Sequence, residues 1–285
     1  MDPIHLGLML GLGSAVTLAF ANASIKASGD ILMSRAALSG SAALMVLPFA
    51  FFVPLPNATT WKWLAISIPV HWLYQATLVR AMTRGDLSLV FPIMRGSAPL
   101  ITAILAFVWL KETLTPIATF GLFIASAATI IFALPETGIV TDSRTRRAAL
   151  FWAILTGGGV ALYNVVDANG VRAAPTVPTF VVWLFLLDSI GINIACLWTR
   201  RTGWVEGMRL KWRYGVAAGA LSIVSFTMAL WGFRIAPVAH ISALRETSVV
   251  FAALIGVIIL KEGFGLRRLF AALALVTGLI LMRLG

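Results

Sequence analysis

Ten apolar stretches, each long enough to cross a bilayer, fill this chain, at residues 3–25, 29–53, 60–82, 87–110, 113–134, 148–170, 176–199, 212–234, 237–260 and 264–284. A helix needs about 20 apolar residues to span the roughly 30 Å hydrocarbon core. The second five stretches read as a diverged copy of the first five. Arg84, Arg95, Ala103, Leu110, Lys111 and Glu112 meet Arg234, Arg245, Ala253, Leu260, Lys261 and Glu262 at a constant offset of 150 residues. Further upstream, Gly13, Ala15 and Lys26 meet Gly159, Ala161 and Arg172 at an offset of 146. An odd number of spans per copy obliges the second copy to enter the membrane upside down. The expected fold is an all-α integral membrane protein with ten transmembrane helices. Its two inverted five-helix repeats are expected at 1–140 and 141–285.

Composition agrees with that class. The chain is 60% hydrophobic and only 12% charged, with mean hydropathy +0.94, whereas soluble domains carry about 25% charged residues. Barrel strands would alternate over roughly ten residues, and the runs here are continuous. The polar remainder is short loops, which leaves no room for a separate soluble domain. The formal charge of +11 does not point to nucleic acid, because the basic residues sit at the ends of apolar runs, where they set orientation. The single cysteine, Cys196, excludes an internal disulfide and any multi-cysteine metal site. The first run starts at Pro3 without a basic leader and is expected to remain as a span.

The breaks between runs are polar or rich in proline and glycine: Pro54 to Asn57, Arg84 to Asp86, Lys111-Glu112, and Pro135 through Arg147, which separates the two copies. A basic run from Arg200 to Arg213 separates the seventh and eighth stretches. Lys26, Arg84, Arg144, Arg146, Arg147, the Arg200 to Arg213 run, Lys261, Arg267 and Arg268 fall on one side of the membrane. Fewer basic residues fall on the other. The positive-inside rule puts the heavier side in the cytoplasm and both termini outside, in a plasma (inner) membrane.

In such a chain the informative residues are the polar ones inside the apolar runs, since each is costly in lipid unless it faces a cavity or a partner. Arg95 lies about nine residues into the fourth run, roughly 13 Å deep at 1.5 Å per residue. Arg245 lies at the same depth in the ninth, followed by Glu246. Asp188 is central in the seventh run, and His71 is central in the third, one turn from Tyr74 and Gln75. The first run carries Asn22, and the sixth carries Tyr163, Asn164 and Asp167 on one face. These residues suggest a midplane cavity. Arg95, Arg245, His71, Tyr74, Asn22, Tyr163 and Asn164 would bind substrate there, with Glu246 and Asp188 as coupling groups or ion-pair partners. The plainer alternative is that the arginines only pair with Glu246 or Asp188 to lock helices together.

Pro92 and Pro99 bracket Arg95, and a proline in a span is tolerated where neighbours or cavity water satisfy the freed carbonyl. Gly7/Gly11 and Gly215/Gly219 have the spacing for close helix packing. Lys111-Glu112 and Lys261-Glu262 read as ion-paired helix ends that fix depth. Trp61, Trp63, Trp198, Trp204 and Trp212 read as the interfacial belt.

Inverted repeats with a site where the copies face each other are an architecture of secondary transporters. With five-plus-five spans, short loops and the spacing Pro99 to Glu112, the chain resembles ten-helix members of the drug/metabolite transporter superfamily, in its EamA-like branch. In the second half Glu262 is present, but Val249 stands where the proline would be. The resemblance implies a carrier without a cofactor, with a cavity between the halves. Its expected activity is alternating-access export of small metabolites such as amino acids, with protons as the candidate coupling ion and a monomer as the simplest state. A channel or a lipid or drug flippase of the same architecture is the alternative. A membrane enzyme is disfavoured, since HExxH, GxSxG and paired-aspartate motifs are missing from the sequence.

Overall fold

A computed structural model describes residues 3–26, 30–84, 87–133, 143–200, 203–251, 254 and 265–285. Among them the secondary structure is helical throughout. The elements are α1 (Pro3–Lys26), α2 (Ile31–Val46), α3 (Ala58–Arg84), α4 (Leu87–Leu105), α5 (Pro116–Ala133), α6 (Ser143–Ala173), α7 (Val177–Arg200), α8 (Trp204–Ile235), α9 (Val238–Arg245) and α10 (Leu266–Leu284). A 3₁₀ turn, Leu47–Phe51, prolongs α2, and a π-helical turn, Ala106–Leu110, prolongs α4. Lys261 and Glu262 lie outside the described residues.

The polar breaks work as caps. Asp30 accepts a hydrogen bond from the Met33 N–H at 3.2 Å, Asn57 from Thr60 at 2.8 Å, Thr115 from Ala118 at 3.1 Å and Thr176 from Thr179 at 3.2 Å. Each satisfies a backbone donor that the first turn of a helix leaves free. Asn57 also donates to the Ala173 carbonyl at 3.0 Å, tying the start of α3 to the end of α6.

Among the described residues, five helices are long and apolar enough to cross a membrane: Leu32–Phe51, Val90–Leu110, Arg147–Ala173, Val177–Arg200 and Trp204–Ile235. Two shorter apolar helices cover His5–Ala21 and Pro116–Phe132. The outer surface carries large apolar side chains such as Leu44, Phe51, Phe120, Trp198 and Phe270, as expected of a surface solvated by lipid.

Two helices depart from the sequence expectation. The eighth begins at Trp204 rather than near 212, because Trp204 and Met208 pack against the buried Met33, Ile192 and Cys196 cluster and draw the basic run into regular helix. The ninth run does not continue unbroken from 237 to 260. It turns at Glu246–Thr247 before residues 248–251 resume the helix. There the Glu246 and Thr247 N–H groups reach back only three residues, to Ala243 and Leu244 at 3.1 Å each, and the Thr247 hydroxyl bonds the Leu244 carbonyl at 2.7 Å.

Packing arranges the helices around a centre. α1 lies on α8, α3 on α6, α2 on α7 and α8, α4 on α5, α6 and α9, and α5 on α10. Several crossings rely on glycine, two of them at Gly215 and Gly121. A Cβ at Gly215 of α8 would stand 2.8 Å from the Ala37 carbonyl oxygen of α2, and one at Gly121 would stand 2.5 Å from the Gly278 oxygen. Backbone meets backbone at both. The largest buried cluster joins Leu64, Phe180, Leu230, Phe233 and Ile241 from α3, α7, α8 and α9.

Candidate functional site

Between these helices lies a cavity of about 120 Å³. It receives Arg35 and Ser39 from α2, His71, Tyr74 and Gln75 from α3, Arg95 from α4 and Tyr163 from α6. Phe185 and Asp188 come from α7, Ser222 and Phe226 from α8, and Arg245 from α9. Of the residues singled out in the sequence, Arg95, Arg245, His71, Tyr74, Tyr163 and Asp188 line it. Asn164 does not: it is buried behind the wall, donating to Ser242 at 3.2 Å and Thr102 at 3.4 Å. Glu246 is buried beside Arg95. The side chain of Asn22 lies outside the described part of the structure.

Aromatic rings form one wall. His71 stacks on Tyr163 at 4.5 Å between ring centroids, and Tyr74 meets Tyr163 edge-on at 5.2 Å. Phe226 stands 5.8 Å from His71 and 5.9 Å from Phe185. Edge-to-face and offset contacts at these separations hold the rings in place. Behind His71, its Nε2 is 2.9 Å from Asp167 Oδ2, and the other Asp167 oxygen accepts the Ser67 hydroxyl. Asp167 is wholly buried, so this carboxylate is fully partnered by α3 and serves to hold the imidazole.

The arginines are differently placed. Each guanidinium lies over a ring: Arg35 over Tyr74 at 5.7 Å, Arg95 over Phe91 at 5.3 Å and Arg245 over Phe226 at 5.2 Å. Cation–π contact supports the flat face and leaves the edge donors free. The Nε of all three is buried without a hydrogen-bond acceptor. Arg95 reaches Glu246 only at 3.5 Å, and the second Glu246 oxygen has no partner. Among the described residues no carboxylate lies within ion-pair distance of Arg245 or Arg35. Asp188 takes hydrogen bonds from Gln75 on both oxygens, at 3.0 and 3.1 Å.

The helix that carries Arg95 is locally special. Pro92 and Pro99 both stand inside α4, and Pro99 has no N–H to give to the Arg95 carbonyl four residues earlier. Arg95 therefore combines a weakly paired side chain with a mid-helix carbonyl that has lost its usual helical donor. Arg245 closes α9 immediately before the turn. Both arginines thus sit where regular helix is weakened, which in a membrane is tolerated at a cavity.

Sequence reasoning missed Arg35. The signal was present, a charge six residues into an apolar run, and is the same one that marked Arg95. Among the described residues no group of three His, Cys, Asp or Glu side chains is placed to hold a metal ion.

Residues 147–284 match the EamA-like transporter family. Over that region, just under half of the chain, the protein is similar to the EamA-like transporters. A solved crystal structure shares the architecture, with a TM-score of 0.80 at 14% identity over 98% of this chain and 96% of that chain. At that identity the likeness is one of fold. With its apolar helices and this similarity, the chain is a multi-pass membrane protein that resembles a transporter family.

Proposed function

We propose that this chain is a secondary transporter that exports small metabolites such as amino acids. It would work by alternating access around the central cavity, between two inverted five-helix repeats at 1–140 and 141–285. The observation that carries the reading is the meeting of Arg95 and Arg245 in one cavity. They occupy the same position in the two halves of the sequence; Arg95 has only the long contact to Glu246, and among the described residues Arg245 has no carboxylate within ion-pair distance. A buried pair that served only to join helices would be short and fully hydrogen-bonded; Arg95–Glu246 at 3.5 Å is neither. The packing supports the repeat, since α2 meets α7, α4 meets α9 and α5 meets α10, and α1 meets α8 as α3 meets α6.

In this reading the arginine edges take the substrate carboxylate, and Asp188 takes an ammonium group. Glu246, which keeps its contact with Arg95, is a counter-ion that substrate binding would displace. Protons are the candidate coupling ion and one chain suffices for one cavity.

The test is uptake by liposomes containing the purified protein, screened with pooled labelled amino acids and organic anions, alongside Arg95→Ala and Arg245→Ala. Saturable uptake with counterflow, lost in both folded variants, is expected. Uptake indifferent to both arginines would return them to a scaffolding role. Conductance without counterflow would favour a channel.

A further inference from the structure

We infer that Arg35 forms a second anion subsite, so that the preferred substrate class is a small molecule with two carboxylates and one ammonium group, an acidic amino acid. The inference rests on the carrier reading above and sharpens it from small metabolites to one charge pattern.

Arg35 enters the cavity from α2, a helix that carries neither Arg95 nor Arg245. Its guanidinium is steadied by the Tyr74 ring at 5.7 Å, and its buried Nε has no acceptor. No carboxylate among the described residues is within ion-pair distance. The side chain is positioned, supported on one face and short of acceptors, which is the arrangement that binds a planar carboxylate through two parallel N–H bonds.

Charge sets how many ligand groups the cavity can hold. Three guanidinium groups face two carboxylates, Asp188 and Glu246. His71 and Asp167 pair with each other at 2.9 Å behind the wall and, with the imidazole protonated, count together as neutral. One positive charge is left over near the middle of a membrane, where an uncompensated charge is costly. A neutral amino acid brings no net charge and leaves that excess in place. A dicarboxylate overshoots it and offers nothing to Asp188. An acidic amino acid cancels it, with two carboxylates for the arginines and an ammonium group for Asp188, whose oxygens are held open by Gln75 alone.

The experiment uses full-length protein in liposomes, with labelled L-glutamate and L-aspartate compared with L-glutamine, L-asparagine and succinate. Wild type is expected to prefer the acidic amino acids over their amides by roughly tenfold or more, the range for a hydrogen bond to a charged group. Arg35→Gln should bring that ratio close to one. Arg35→Lys, which keeps the charge but not the paired donors, should fall between, and melting curves in detergent confirm that each variant is folded. Asp188→Asn should remove the preference for glutamate over succinate. Equal uptake of acid and amide by wild type overturns the inference, as does an Arg35→Gln variant that keeps the ratio. In either case amides still carried through Arg95 and Arg245 would leave the carrier reading standing. Failure of every carboxylate-bearing probe with folded protein would sink both.

Discussion

Two arginines, the half-buried Arg172 and the buried Arg245, show what the same side chain does in two parts of this molecule. Arg172, near the end of α6, bonds through its Nε and one of its two Nη nitrogens. Its Nε bonds the Phe233 carbonyl at 2.8 Å, and one Nη bonds Glu112 at 2.7 Å and the Ala236 carbonyl at 3.2 Å. The other Glu112 oxygen accepts the Val238 N–H at 2.7 Å, at the first turn of α9. One pair of side chains therefore clasps the ends of α4, α6 and α8 to the start of α9. Arg245, at the other end of α9, has a ring beneath it, an unpartnered Nε and, among the described residues, no carboxylate within ion-pair distance. The lesson is that burial alone does not mark function in a membrane. On the proposed reading, whether the donors are already satisfied does: Arg172 joins helices, while Arg245 keeps an unpartnered Nε.

The contrast can be broken, and the largest effect should come from the most completely satisfied group. Asp167→Ala leaves His71 and Ser67 facing a buried gap, and breaking such a pair typically costs about 3–5 kcal/mol. A large fall in thermal midpoint in detergent is expected, and an unchanged midpoint would show that the pair is not structural. Glu112→Ala removes a charged hydrogen bond and a helix cap at once, for about 1–3 kcal/mol. Its melting curve should shift by less than that of Asp167→Ala. Should the clasp instead be a functional gate, transport would change with the midpoint held.

Arg245→Met is the sharper probe. It replaces a poorly paired cation with an apolar side chain, so stability should stay within about 1 kcal/mol of wild type and rise rather than fall. Transport should be lost. A melting shift as large as that of Glu112→Ala would dissolve the distinction between the two arginines.

How much of this was legible in the sequence follows the same physics. Apolar runs and their polar breaks report helix positions well, because a bilayer penalises any other arrangement. Asp30, Asn57, Thr115 and Thr176 stand at breaks and cap the helices that follow. Glu112 was legible as an ion-paired helix end, but its partner Arg172 and its cap on α9 were not, since both depend on helix packing. The interruption after Arg245 left no mark, having neither proline nor glycine, and arises from a threonine hydroxyl bonding back to Leu244. The cavity lining was legible where a charged or polar side chain sat deep in a run, as with Arg95, His71 and Tyr163; Arg35, nearer the start of its run, and the rings of Phe185 and Phe226 needed the fold.

The smallest effect belongs to the exposed counterpart of the clasp. Arg200 and Asp30 pair at 2.8 Å between α7 and α2, with side chains 49% and 37% exposed. Distance alone would rank this pair with Arg172–Glu112, yet water and salt reach both partners, and such pairs contribute about 0–1 kcal/mol. Asp30 also caps α2 through the Met33 N–H, so Asp30→Asn removes the charge while keeping the cap. The variant should melt within about 0.5 kcal/mol of wild type, and added salt should leave it unmoved while bringing wild type down to meet it. Asp30→Ala should lose about 1 kcal/mol more, through the cap. If Asp30→Asn instead destabilises as much as Glu112→Ala, ion-pair length rather than satisfaction in a water-poor setting governs these contacts, and Arg245 would have to be reread.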